Sequence, residues 1–450
     1  MDDKHKGSPA TDMTRRQFVR TAAAAAGAGL MMPSIASSYA ATSSIDELAV
    51  AIIGPGSQGR NLLTKILKIP GIRFVAVCDV WPYHQKYAAN ILKKYDQIVN
   101  VYADYREMLA AEHYLDAVII ATPDWVHADQ TVACLEAGID VYCEKEMSNT
   151  LEGARRMVLA ARRSGRLLQI GHQRRSNPRY AQAMRLIHSD KLLGRITHCN
   201  GQWNRAHMLE RSWPKGKDLD AETLKRHGYE SMDAFRNWRW YRRYSGGPMA
   251  DLGSHQIDVF NWFLETEPRS VMASGGLDYY TAQKGRDWYD NVMSIYEYAT
   301  PSGPVRVFYQ VLNTTSHGGF YETFMGDQGS LVISEDPRKG FVFREAHAVR
   351  KEWEDEAAKI ETMDAEAMVL KVGETLNPGG GTTEGERLDV QVNKPVHQLH
   401  LENFFDAMRY GSPLTCPPDV AYATAVSVLA ANRAVDTGQK IRLSPDLFRV

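Results

Sequence analysis

Short apolar runs alternate with helix-periodic polar stretches from Leu48 to His172. Leu48-Ala-Val-Ala-Ile-Ile is continuous and apolar, the pattern of a strand buried on both faces. A glycine turn, Gly54-Pro-Gly56-Ser57-Gln58-Gly59, follows it, and then a stretch with Leu62, Leu63, Ile66 and Leu67 on one helical face. The pattern then predicts a strand over 73–78 ending at Asp79, and a strand over 116–122 leading into a helix that runs to 137. A strand over 140–143, a helix over 151–163 and a strand over 167–172 complete it. Strands and helices taking turns predict an α/β fold with a doubly wound parallel sheet, in which ligands bind beyond the carboxyl ends of the strands. Thr122, Trp125, His127, Glu144 and Lys145 fall at those ends.

The second half is patterned differently. Gly171-His-Gln173-Arg-Arg-Ser-Asn-Pro178 marks a crossover; Gln173, Arg174 and Arg175 point toward the crevice by position, and the arginines could equally be surface charges. Trp203, Trp213, Trp238 and Trp240, with Trp262 beyond them, are interleaved with Asn204, Arg205, His207, Arg236 and Asn237, a mixture suited to carbohydrate binding or to a domain core. Residues 345–388 are charged and glycine-interrupted, which predicts a surface excursion. Two amphipathic helices are expected over 397–409 and 418–436. The domains expected are a Rossmann domain over 45–175, an α/β substrate and oligomerisation domain over 176–395, and C-terminal helices over 396–450.

Residues 1–40 form a separate unit. Arg15-Arg16, with Phe18 after them, precede an apolar run over 21–36 and small residues at Ser38, Ala40 and Ala41. This is the pattern of a twin-arginine (Tat) signal peptide, and it predicts export of an already folded protein to the periplasm by the Tat machinery. The run is too short and alanine-rich to be a stable membrane anchor. The 53 Lys+Arg nearly balance the 54 Asp+Glu, so no nucleic acid partner is expected. The five cysteines form no C-x-x-C pair, which predicts neither a disulfide framework nor a metal site; Cys78 and Cys143 are expected as core fillers.

The glycine turn carries specific chemistry. Gly54 permits the tight turn, Gly56 lacks the Cβ that would block a pyrophosphate, and Gly59 allows close helix packing. Phosphates then meet the helix N-terminal amides, which also brings Ser57 and Gln58 to the ligand. Asp79 lies near the spacing of the acid that binds the ribose hydroxyls, and a carboxylate there favours NAD over NADP. Lys145, directly after a buried strand, can polarise a hydroxyl or carbonyl, although alone it could be a solvated loop lysine. Asp251 and His255 stand four apart and face one way if that turn is helical; an Asp–His pair suits proton transfer, or simply caps a helix.

Together GPGSQG, ATPDWVH, CEKE and the D-L-G-S-H element around Asp251 resemble the family of glucose–fructose oxidoreductase, inositol dehydrogenase and relatives (Gfo/Idh/MocA). The resemblance implies that an α/β domain with an open, mostly antiparallel sheet follows the Rossmann domain. It implies late helices that pack back on the Rossmann domain, a homo-oligomer, and hydride exchange between NAD and a sugar, glycoside or cyclitol carbon, with C3 of a glycoside as one candidate. It makes Lys145 the catalytic lysine, His255 the general acid/base, and Asp251 the acid that orients substrate and histidine. The family pattern is Glu-Lys-Pro, whereas this chain has Glu144-Lys145-Glu146, which argues against a cis peptide after Lys145. Two other readings remain open: a redox-assisted glycosidase that uses NAD, and a non-catalytic NAD-bound sugar sensor.

Overall fold

The computed structural model describes residues 47–206, 210–281, 285–355, 357–361, 366–369, 372–373, 390–391 and 394–450. The signal peptide read over 1–40, and His207, lie outside the described residues. Six parallel strands form the first sheet: β1 (Leu48–Ile53), β2 (Ile72–Cys78), β3 (Asn100–Tyr102), β4 (Ala117–Ile120), β5 (Asp140–Cys143) and β6 (Leu168–Ile170). Their order is β3-β2-β1-β4-β5-β6, so the winding reverses between β1 and β4. Ile53 is level with Cys78 on one side and Ile120 on the other. That register sets Gly54, Asp79 and the turn after β4 side by side at the reversal, where a crevice opens.

The uninterrupted apolar character of β1 follows from its two covered faces. Val50 and Ile52 join a core with Leu62, Ile66 and Phe74, while Ala51 and Ile53 join another with Val118, Cys143 and Val158. All five cysteines are buried and free.

The second sheet has ten strands in the order β14-β15-β13-β12-β11-β7-β10-β9-β8-β18. Its members are β7 (Ile196–Asn204), β8 (Pro268–Gly276), β9 (Asn291–Thr300), β10 (Gly303–Leu312), β11 (Phe320–Gly326), β12 (Gly329–Ile333), β13 (Gly340–Arg344), β14 (Lys359–Glu361), β15 (Glu366–Val369) and β18 (Ile441–Arg442). Residues 372–373 and 390–391 pair separately as β16 and β17. Among the described residues, β7 and β10 are the one parallel pair in the large sheet. Period-two alternation buries Val292, Tyr296 and Tyr298 of β9 on one face and leaves Met293 and Ile295 on the other.

The segment expected as a surface excursion is corrected in part. Trp353 is 4% exposed, and β14 and β15 extend the sheet with Ala367 and Met368 buried. The apolar stretch is four residues long, too short to stand out in a charged run. The late helices do not behave alike. Val396–Tyr410 packs Leu401, Phe404 and Phe405 on the Rossmann core beside β1, whereas Pro418–Thr437 gives Ala421 and Ala425 to a Rossmann core and Val428, Ala431 and Ala434 to the second sheet's core. Among the described residues no helix is long and apolar enough to cross a membrane.

Candidate active site

A cavity of about 640 Å³ opens beyond the carboxyl ends of β1, β2, β4 and β5 and is closed by residues around β7 and 226–255. Gly54 has φ +81°, and a Cβ there would lie 2.6 Å from Thr122 Cγ2. A Cβ on Gly56 would find nothing nearer than His84 Cε1 at 3.7 Å, an ordinary contact, so no protein atom crowds the backbone there. The helix Ser57–Ile66 begins there without a side-chain cap. Its first amides are therefore left for a ligand, and a pyrophosphate fits that cradle. Gly59 does not line the cavity: a Cβ there would lie 2.3 Å from Gly54 O, the close helix–turn packing expected of it.

Asp79 lines the cavity at the end of β2. Its Oδ1 accepts from the Trp81 amide at 2.8 Å, and its Oδ2 lies 3.1 Å from His84 Nδ1. These contacts fix the carboxylate at the cavity wall. Ser57, Gln58, Thr122, Trp125 and Glu144 also line the cavity. Gln58 Nε2 donates to Glu144 Oε1 at 2.8 Å, tying the glycine turn to the end of β5.

Two residues expected at the cofactor, His127 and Gln173, do not line this cavity. His127 is 1% exposed and does not line the cavity; its ring nitrogens lie 2.8 Å from Glu146 O and from Thr122 O. It stands one turn into the helix Asp124–Glu136, where its ring turns inward and braces the two loops that do line the cavity. Gln173 instead donates to Glu335 Oε1 at 3.2 Å. Arg174 and Arg175 are not surface charges either: Arg174 is buried against Glu322, and Arg175 Nε lies 2.8 Å from Asp258 Oδ2. The peptide after Lys145 is cis although Glu146 replaces proline, so the turn the substitution argued against is present.

Lys145, Asp251 and His255 meet at one end of the cavity. Residues Met249–Gly253 form a π-helical turn that runs into the helix Ser254–Phe263. The wider turn brings Asp251 to the cavity, but its carboxylate faces cations rather than His255. Arg239 Nε lies 3.1 Å from Oδ1, Lys145 Nζ 3.7 Å from Oδ1, and an Arg205 nitrogen 3.9 Å from Oδ2. Burial would raise this carboxyl, yet Arg239, Lys145 and Arg205 together hold it below the usual carboxylate range. The expected orientation of His255 by Asp251 is thus corrected. His255 stacks instead on Trp203, with ring centroids 5.4 Å apart, and Trp203 stacks on Phe320. Burial first, then the charges of Lys145 and Arg174, pushes His255 well below its ordinary value, so the imidazole is neutral. Its Nδ1 is buried without a hydrogen-bond partner among the described residues.

The sequence reading missed Arg239, Arg211 and Asp124. Asp124 accepts from the Gly246 amide at 2.9 Å and is pushed up to about 7 by burial. Arg239 sits in an arginine-rich run, 236–243, where nothing in the spacing distinguishes the one that reaches Asp251. Among the described residues no cluster of three His, Cys, Asp or Glu could hold a metal ion.

A parallel nucleotide sheet with an open switch point, joined to a large mostly antiparallel sheet that covers it, defines the class: a two-domain dinucleotide-binding oxidoreductase fold. The chain belongs to the Gfo/Idh/MocA oxidoreductase family. Residues 48–172 match its NAD-binding Rossmann fold, and residues 219–443 its C-terminal alpha/beta domain. An inositol 2-dehydrogenase/D-chiro-inositol 3-dehydrogenase of Shouchella clausii is 34% identical over 224 residues, 49% of this chain and 54% of that protein. An inositol 2-dehydrogenase of Rubrobacter xylanophilus is 25% identical over 316 residues, covering 69% and 77%. The chain thus spans about half the length of the first of these relatives. A levoglucosan dehydrogenase solved with NADH superposes with a TM-score of 0.66 at 19% identity, over 89% of this chain and all of that one.

Proposed function

We propose that this protein is an NAD-dependent oxidoreductase that exchanges a hydride with a carbinol or keto carbon of a sugar, glycoside or cyclitol. The observation that carries the reading is the meeting of Lys145 and His255 in the same cavity as the open glycine turn. NAD, when bound, supplies the hydride acceptor or donor. The Lys145 ammonium suits a hydrogen bond to the substrate oxygen as its charge changes. Neutral His255 has a lone pair for the hydroxyl proton that must leave as a carbinol is oxidised. Asp251 acts on Lys145 and Arg239, holding the ammonium at the cavity wall. The names of the inositol and levoglucosan dehydrogenases support a polyhydroxylated substrate.

A panel of cyclitols, hexoses and glycosides, assayed for NADH formation, tests this. A substrate-dependent rise in NADH is expected, and no rise with any member would overturn the reading. An aryl glycoside in the same panel separates cleavage: phenol release that requires bound NAD, with solvent deuterium incorporated at C2, would assign oxidation-assisted elimination with C3 as the carbon oxidised.

Two further proposals complete the reading. The Arg15-Arg16 signal directs Tat export to the periplasm with NAD retained, so that a second substrate must recycle the cofactor. The protein forms a homo-oligomer through the outer face of the large sheet. There Met272, Ile295 and Phe308 are cross-strand neighbours on β8, β9 and β10, and all three are exposed, which makes a contiguous apolar stripe.

A further inference from the structure

We propose that the substrate carries an anionic group, a carboxylate or a phosphate ester, and that Arg205, Arg211 and Arg239 receive it. This deepens the functional reading above and rests on it. All three arginines line the cavity, at the end where Lys145 and Asp251 meet. Asp251 is approached by Arg239, Lys145 and Arg205, so one carboxylate is shared among three cations. Arg211 adds a fourth. Its main-chain amide donates to Asn237 Oδ1 at 2.7 Å, which anchors it beside the segment that carries Arg239. Its guanidinium sits among like charges: burial first, then Arg239, lowers its proton affinity, Asp251 offsets this in part, and Arg236 and Arg205 lower it further.

Two further acids that line the cavity, Asp124 and Glu146, add little to the balance. Burial pushes Asp124 up to about 7 and Glu146 up to about 8, so neither is a full counter-charge at neutral pH. Arg205 Nε is buried without a partner among the described residues, and an Arg205 nitrogen comes no nearer to Asp251 than 3.9 Å. A neutral polyol brings hydroxyl groups to this wall and leaves the excess positive charge in place. An anionic group neutralises it, and guanidinium forks match carboxylate and phosphate oxygens in two parallel hydrogen bonds.

The cofactor's own phosphates are the competing occupant. They have a separate cradle at the uncapped start of the helix Ser57–Ile66. On that side Arg60 stands in the helix itself and donates to Pro55 O at 2.9 Å, and Arg236 lies 5.0 Å over the Trp81 ring beyond the end of β2; neither is part of the proposed trio.

The test uses the full chain loaded with NADH and matched sets of probes: glucose, glucuronate and glucose 6-phosphate; galactose and galacturonate; myo-inositol and its monophosphate. Binding is followed by calorimetry at low and high salt. The acidic member of at least one set is expected to bind about tenfold tighter than its neutral partner, an advantage that shrinks at high salt. Preference for the carboxylate or for the phosphate identifies which anion the site takes. Arg211→Ala should remove most of that advantage, and Arg211→Lys should keep part of it, with NADH affinity unchanged within about twofold in both. Equal or weaker binding of every acidic member overturns the proposal. So does loss of NADH affinity in Arg211→Ala, which would give the arginines to the cofactor. Acidic sugars that bind but yield no NADH when NAD is supplied would sink the catalytic reading and leave this one standing.

Discussion

Lys145 Nζ lies 3.7 Å from Asp251 Oδ1 and also donates to the Asp251 main-chain carbonyl, across 106 residues of sequence. The contact joins the end of β5 to the π-helical turn before Ser254–Phe263, and it fixes the ammonium at the cavity wall. His255 is set independently, by its stack on Trp203. The acid and the base are thus placed by separate supports, and they should fail separately.

Changing Lys145 or His255 to Ala should lower kcat by roughly 10²–10⁴-fold, the usual contribution of a positioned acid–base group. NADH affinity should stay within about threefold, because the pyrophosphate cradle lies at the glycine turn. Single-turnover kinetics with a fluorescence titration of NADH checks both. Unchanged kcat in both variants would remove the roles given to these side chains.

Asp79 should set the preference for NAD. Replacing it with Ser removes two acceptor oxygens from the ribose side and should cost about 1.5–3 kcal/mol of NAD affinity, the range for a hydrogen bond to a charged group. Adding an arginine beside it should raise NADP affinity. Equal binding of NAD and NADP by the unaltered protein would mean that the carboxylate does not meet the ribose.

Glu146 makes stability depend on pH. Burial raises its carboxyl from 4.5 to about 8 in the fold. Between those values the unfolded chain has lost a proton that the folded chain keeps, so stability falls as pH rises. Glu146→Gln has no proton to lose. Its stability relative to the unaltered protein should therefore grow by up to about 1.4 kcal/mol per pH unit across that window. Urea denaturation at several pH values from 4.5 to 8 measures this. Asp124 contributes its own slope and its charge also raises Glu146, so the same comparison in an Asp124→Asn background isolates Glu146. A pH-independent difference would show that Glu146 is ionised in the fold.

Replacing Arg15 and Arg16 together with Lys should leave uncleaved precursor in the cytoplasm, read by fractionation and immunoblot. Normal export of that variant would refute the twin-arginine assignment.

Ile295→Lys places a charge in the apolar stripe between Met272 and Phe308. The proposed oligomer should dissociate in light scattering while the circular dichroism stays native, and a monomeric unaltered protein would refute the proposal itself. An unchanged mass would place the interface elsewhere.

Much of the fold was legible because its signals are local. A strand buried on both faces reads as an unbroken apolar run, and a phosphate-binding turn reads as glycines at fixed spacing. Gly54, Gly56 and Asp79 could be placed on the cavity from a few residues of context each. His127 and Gln173 could not. Both follow strand ends, and the side chains of both turn away into contacts with Glu146, Thr122 and Glu335 that no spacing announces.

The sequence by itself determined which residues could do chemistry at the strand ends, because strand ends and glycine turns are set by neighbours along the chain. Only the tertiary structure decided what those residues touch. It turned Asp251 from His255 toward Arg239 and Lys145, stacked His255 on Trp203, and gathered Arg205, Arg211 and Arg239 at one wall. The physical reason is that charge pairing and burial depend on distance in space. Two domains packed together set distances that neither domain's sequence encodes alone.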